Sequence, residues 1–443
     1  MADALALTNY QNWLTEMMIS RQMLFSIEWP LLAQMSGALP KGGYDPTVQR
    51  YTRGLAELSG DRDTYHGKQI SVPLQLNEVP GASGMADGGT FAANSPFDTN
   101  KAVINLADTG QPIGITLDAD RDSRNGATSA MNAIEALVES AYRGLARVEN
   151  DFLHGTGDAL LVKINSATGT GSLVVDVGTA SVSWDQLTAG RVVTIATRSS
   201  GADPGNGKRR KIASIQKAAG TVTFATAAVA SDGGSGNITF SALEGIYIDS
   251  SYGHAAQGLG QAVANTTTFE GIDQSAVQQW AAQDATPAAS AALSDEILDD
   301  AVYRLRGAGC PLTDLYGVAH KKVIDLYKQS KQSQVLYNAE ADMIEMRSGT
   351  RAITYTGTDA PVPLISDLSA PRGVLRLVGS DATQLYGDEV GPSFIDDDGH
   401  TWRFTSRATV KEAWLYDRWQ LGVKNAAHLC TVGNATTKLT EAA

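Results

Sequence analysis

A chain of 443 residues, 43% hydrophobic and 19% charged, has the composition of an ordinary folded protein and is too long for one simple core, so two or three structural units are expected. Its 35 Lys and Arg against 48 Asp and Glu leave a formal charge of −13, which argues against a dedicated nucleic-acid binder but not against a wall that encloses nucleic acid. The two cysteines, Cys310 and Cys430, are far apart without CxxC spacing, which argues against a disulfide framework and for a reducing compartment.

Residues 1–20 hold no Lys or Arg, and Asp3 and Glu16 interrupt their apolar pattern. No apolar run approaches the roughly 20 residues that cross a bilayer, so neither an export signal nor a membrane span is expected. Residues 1–45 read as an arm: Leu7, Tyr10, Trp13, Leu14, Met17, Met18, Leu24, Ile27 and Trp29 supply apolar surface. Pro30, Pro40 and Pro46 keep that segment from forming one long helix. Such a segment covers a surface, either its own domain or a neighbouring copy.

From Lys68 the residues alternate, with Ile70, Val72, Leu74 and Leu76 to one side. Lys101 to Leu117 reads as the matching partner, and the Gly-, Ala- and Ser-rich stretch Glu78–Pro96, with Phe91 inside it, joins the two. The pair forms a β-ribbon that needs support from this subunit or the next. Arg124–His154 then reads as one amphipathic helix of about 45 Å, with Met131, Ile134, Leu137, Val138, Ala141, Leu145, Val148 and Phe152 on one face. Gly155 and Gly157 stop it.

Residues 158–250 change character. Short strands at Leu160–Ile164, Leu173–Val177, Arg191–Ala196, Ile212–Ile215, Val222–Ala225 and Ile238–Phe240 alternate with turn residues, as in a small β-barrel or sandwich inserted between helix-bearing segments. From Leu293 the pattern is α+β: a helix capped by Ser294, a strand at Leu315–Val318, a helix from His320 to about Lys331, an irregular loop at 338–358, and strands at Val362–Ile365 and Gly373–Val378. A hairpin turn is expected at Asp396–Gly399.

Few residue patterns in the chain match those that chemistry requires. The six histidines form no HxxxH pair, and Asp118, Asp120 and Asp122 start a calcium-loop spacing that fails at Ser123 and Ser129. Gly201–Arg209 misses phosphate-loop spacing, and Gly258 and Gly260 lack the third glycine of a dinucleotide fingerprint. No catalytic constellation and no cofactor is expected. The basic run Lys208, Arg209, Arg210 and Lys211 reads as a solvated hairpin end, with an acidic neighbour or DNA phosphate as the alternative contact.

The order of arm, ribbon, long helix and late α+β section resembles the tailed-bacteriophage major capsid protein family and its Hong Kong phage coat fold. Lys68-Gln69-Ile70-Ser71-Val72-Pro73-Leu74 looks like the outgoing strand of the family's extension loop. Arg147–Gly157 resembles the end of its spine helix, and 361–386 is similar to the end of its axial domain. The resemblance implies an arm at 1–53, an extension loop at 54–117, a peripheral domain with the spine helix at 118–157, and an inserted β-domain at 158–250. It further implies an axial domain with connecting segments at 251–391 and a C-terminal return to the peripheral domain at 392–443.

By the same resemblance, the partners are copies of the chain in hexamers and pentamers, a separate scaffolding protein, a portal and a decoration protein. The shell, assembled in the bacterial cytoplasm, encloses double-stranded DNA without reading its sequence. Because the arm begins at Met1, no cleaved scaffolding segment is expected. Lys68 and Lys101 lie at the ribbon's base, so covalent cross-linking through its tip is not expected either. The rival readings are an encapsulin-type nanocompartment shell, a β-rich binding or adhesion module resting on 158–250, and an enzyme.

Overall fold

Strand alternation and one helical stripe lay the chain out as a ribbon, two sheets and a barrel. The computed structural model describes residues 69–75, 99–116, 131–167, 173–332 and 353–435, apart from short segments at 181, 183, 203–207, 218, 229–235, 237–239, 241–242, 290, 313–314, 357–360, 380–381, 388–392, 396–401 and 405–409. The ribbon is β1 (Gln69–Gln75) antiparallel to β2 (Thr99–Asn105), in register from Gln69 opposite Asn105 to Gln75 opposite Thr99. Two strands alone are marginal in water. Here Ile70, Ile104 and Leu106 pack on Tyr386, while Leu74 and Ala102 join the largest core.

Residues 101–117 read as one partner strand, but the chain changes sheets at Leu106. Up to that point the buried residues are at even positions (Ala102, Ile104, Leu106), and beyond it at odd ones (Thr109, Ile113, Ile115). That change of phase turns the other face inward. β3 (Ala107–Thr116) accordingly leaves the ribbon and pairs along its length with the C-terminal strand, Ala107 opposite Trp419 through Thr116 opposite Val410. Across this pair lies α1 (Met131–His154), with Val138, Tyr142 and Leu145 against Leu415. Residues 124–130, expected in the same helix, are outside the described residues.

The β-rich segment is a closed antiparallel barrel of β4 (Leu160–Ala167), β5 (Val174–Ala180), β6 (Val192–Thr197), β7 (Arg209–Gln216), β8 (Thr221–Ala228) and β9 (Glu244–Ile248), in the order β4-β5-β8-β7-β6-β9. Closure leaves no unpaired edge. Val162, Ile164, Val175, Ile195, Ile212, Phe224 and Ile246 are buried in one core cluster that continues into the rest of the molecule. The closing strand is Glu244–Ile248; of the expected strand Ile238–Phe240, residues 238–239 are outside the described residues. Leu160 pairs with Tyr247, so the chain enters and leaves the barrel side by side.

A hairpin follows, β10 (Thr268–Phe269) and β11 (Ile272–Asp273), turned by Glu270 and Gly271 at φ 49° and 78°. After β12 (Gln283–Asp284) come α2 (Asp295–Gly307), β13 (Leu315–Ala319), α3 (Lys321–Gln332), β14 (Ile353–Thr356), β15 (Pro361–Ser366), β16 (Leu375–Gly379) and β17 (Thr383–Gly387). The chain ends with β18 (Ser393–Phe394), β19 (Arg403–Phe404), β20 (Val410–Val423) and β21 (Leu429–Val432). A six-stranded sheet runs β12-β21-β16-β13-β15-β14. Leu315, Ala319, Leu375 and Leu377 turn one face to α2 and α3, while Tyr316, Val318 and Val378 turn the other to the largest core. Both faces are thus covered.

In the second sheet β20 is central. β3 pairs along one side, and β17, β18 and β19 pair along the other. Beyond β20 the chain crosses to the other sheet, where β21 slots between β12 and β16 of the six strands. Leu429 and Cys430 belong to different cores, so that strand is buried on both faces and suits an interior position. The strands flanking the expected turn at Asp396–Gly399 both pair with β20, at Leu415–Tyr416 and Lys411–Glu412; the turn itself is outside the described residues. Among the described residues, no helix is long and apolar enough to cross a membrane.

Candidate functional site

The last two turns of α1 bury a polar series, Glu149, Asn150, Asp151 and His154. A buried helix end must find partners for its side chains and its final carbonyls. Asn150 Nδ2 donates to Asp367 Oδ1 at 3.1 Å, the Ser369 amide donates to the same oxygen at 2.8 Å, and His154 Nε2 lies 3.3 Å from Asp367 Oδ2. Burial works against ionisation of Asp367, but the charge of His154 and these donors outweigh it and hold the carboxyl below its ordinary range. Asp151 accepts from Ser369 Oγ at 2.9 Å and from Arg191 Nη2 at 3.2 Å. Arg376 Nη1 donates to the His154 carbonyl at 3.0 Å, a cation at the negative end of the helix.

A second knot centres on Asp185, between β5 and β6. Arg372 donates to both carboxylate oxygens, with Nε at 2.9 Å, and His320 Nε2 lies 3.0 Å away. His320 first, and then Arg372, push the Asp185 carboxyl far below its usual value against the opposing effect of burial. His320 Nδ1 also accepts from the Lys322 amide at 3.2 Å, at the start of α3. Together the knots tie the end of α1, the β5–β6 connection of the barrel, and segment 367–376 of the six-stranded sheet. Their chemistry is fastening.

Packing closes the same junction. A Cβ on Gly258 would lie 2.1 Å from the Phe152 carbonyl oxygen, and one on Gly260 would lie 2.5 Å from that of Gly155. These glycines let the turn Leu259–Ala262 press on the end of α1. Next to them a polar cleft of about 710 Å³ runs past Asp108, Asp158, Gln257 and Gln420. Two of its polar side chains are engaged within the chain: Asp108 accepts from Tyr416 Oη and Arg418 Nε, both at 2.7 Å, and Gln420 bonds to both main-chain groups of Gln257. Among the described residues no group of His, Cys, Asp and Glu is placed to hold a metal.

The expected site residues are distributed unevenly. Tyr10, Trp13, Met17, Met18, Leu24, Trp29, Lys68, Glu78 and Phe91 are outside the described residues. In the ribbon Val72 is half-buried, Leu74 buried and Lys101 exposed. In α1 Leu137 is half-buried and Leu145 and Phe152 are buried; Met131 and Ile134 lie in the helix, with side chains outside the description. The run Lys208–Lys211 is split by strand alternation. Arg210 is fully buried and donates to the Ala225 carbonyl, Arg209 is bound through two nitrogens to Asp249, and Lys211 is exposed.

The knots were missed in the sequence; the nearest signal was Glu149, which is buried beside them at the end of α1. It lies one turn after Leu145 on the apolar stripe, where an acid needs a buried partner.

No family model and no curated protein matches the sequence. Solved structures similar to it include the capsid asymmetric unit of cyanophage A-1(L), 13% identical with a TM-score of 0.48 over 92% of this chain and 93% of that one. Others are a structure from Gordonia phage Cozz, 11% identical with a TM-score of 0.39 over 82% and 80%, and the holo-SrpI encapsulin complex from Synechococcus elongatus PCC 7942, 10% identical with a TM-score of 0.39 over 84% and 85%.

Proposed function

We propose that the chain is the major capsid protein of a tailed bacteriophage, which associates with its own copies into an icosahedral shell around double-stranded DNA. The observation that carries this reading is the order and pairing of the elements. A two-stranded ribbon hands over to β3, which runs beside β20 under the long α1, and a six-stranded sheet with two helices on one face completes the body. That order supports reading α1 as a spine helix, the β3–β20 sheet as the peripheral domain and the six-stranded sheet as the axial domain. The adjacent entry and exit of the barrel at Leu160 and Tyr247 support reading it as an insertion.

Assembly then works by repetition. Each contact between copies is modest, while closure of the lattice makes the whole stable. The Asp185 and Asp367 knots keep each body stiff, so curvature is set at the contacts between copies. Hexamers and pentamers in the bacterial cytoplasm, with a scaffolding protein, a portal and a decoration protein as helpers, complete the proposal.

Electron micrographs of the expressed chain, alone and with neighbouring gene products, should show closed shells, and native particles should hold DNA. Shells holding a cargo enzyme in place of DNA would favour a nanocompartment instead. A species no larger than one chain would end the shell reading.

A further inference from the structure

Among the described residues, Glu270 is the most deeply buried acid outside the two knots, with about 1% of its surface exposed. It occupies the first turn position of the β10–β11 hairpin, where φ is 49°, a conformation that costs a non-glycine residue energy and is held here by its surroundings. Phe269 and Ile272 on either side are buried in the same core as Leu74 and Ala102 of the ribbon.

The two ends of Glu270 reach different parts of the molecule. Its main-chain carbonyl accepts from the Val103 amide of β2 at 2.7 Å, and its side-chain Oε1 accepts from the Val423 amide at the end of β20 at 2.6 Å. One residue therefore bridges the ribbon and the central strand of the body sheet. The second carboxyl oxygen, Oε2, is buried with no hydrogen-bond partner. A lone buried carboxylate oxygen is costly, whereas a neutral carboxyl at the same place is tolerable.

Among the described residues no cation pairs with Glu270, and Lys424, next to Val423, is exposed. β2 brings Val103 and Ile104, β20 brings Gly422 and Val423, and Asp273 at the far end of the hairpin faces solvent. Among the described residues the titratable group coupled to Glu270 is Tyr386 of β17, whose hydroxyl is raised by burial and further by Glu270. Burial pushes the Glu270 carboxyl up to about 8, with the Val423 amide pulling weakly the other way.

We propose that Glu270 is a proton-operated latch, seating the ribbon on the body when neutral and loosening that seat when it loses its proton. Once the hairpin is unseated, the carboxyl meets water and returns to an ordinary value near 4.3. The unseated state then binds fewer protons than the seated one between that value and about 8. Opening of the seat is favoured as pH rises through this window, by up to about tenfold per unit, and levels off above it. The latch belongs to the single chain and stands or falls apart from the shell reading.

Amide hydrogen exchange on the full-length chain, corrected for the intrinsic pH dependence of exchange, tests it. From pH 5.5 to 7.5, peptides covering Val103 and residues 268–273 should open on the order of a hundredfold more often, while those covering 138–146 of α1, away from the His154 end, stay level. Glu270→Gln keeps the acceptor for Val423 but cannot ionise, so the same peptides should show no trend. A flat wild-type profile, an equal trend in α1, or an equal trend in Glu270→Gln each overturns the latch. The wild-type comparison with α1 decides the matter alone should the variant fail to fold.

Discussion

Asp185 and Asp367 each sit where the surrounding groups demand an anion, and both carboxyls are held below their ordinary range. Such a group stabilises the fold fully above its unfolded value of about 3.9, and that contribution is lost as pH falls through the folded value. The melting temperature should therefore drop steeply below about pH 4, and less steeply in Asp185→Asn. At neutral pH that variant leaves Arg372 and His320 without their anion, at a cost of about 3 kcal/mol measurable by urea unfolding. An unchanged midpoint would remove Asp185 from the account. Close packing gives a second test. A Cβ on Gly422 would lie 2.1 Å from Tyr386 Cε2 and 2.9 Å from Ile104 Cδ1, so Gly422→Ala should cost about 2 kcal/mol. Tyr386→Leu should recover part of that loss, and strictly additive costs would show that the ring is not the obstacle. At this scale the sequence marks that Glu149 needs a partner, but the fold alone decides such pairings: Asn150 and Asp367 meet across 217 positions.

At the scale of elements, local patterns were legible and junctions were not. The long helix, the first five strands of the barrel and the Ser294 cap follow from residue spacing, and Ser294 Oγ does accept from the Ile297 amide at 3.5 Å. The transfer of the chain at Leu106 was written in the phase of burial, yet both halves alternate well enough to read as one strand. Barrel against sandwich stayed open in the sequence because closure depends on β4 meeting β9, a pairing across the whole segment. The same pairing makes a prediction. Replacing residues 161–246 with a short Gly-Ser linker should leave a chain that still folds, since the two ends are strand neighbours about 5 Å apart. That chain should melt lower, because it loses the Arg191–Asp151 and Arg372–Asp185 bonds and a share of the common core. A circular dichroism melt without a cooperative transition would show the barrel to be integral rather than inserted.

For the whole molecule, the shell proposal makes one chain an unfinished part: its apolar arm is proposed to find burial on other copies, whereas the ribbon strands pack on their own body. Composition made this readable only as a permission: a net charge of −13 allows a wall around DNA and forbids little else. The order of elements supplied the shell reading, whereas contacts between copies are not written in any local pattern of one chain. The arm, rich in Trp, Tyr and Met, is where association should be most sensitive. Sedimentation velocity of the full chain beside a chain lacking residues 1–29 tests this most directly. The account predicts closed particles many times the 46.7 kDa of one chain for the first and a soluble, folded subunit for the second. Equal particles from both, or a monomer from the full chain at high concentration, would contradict it.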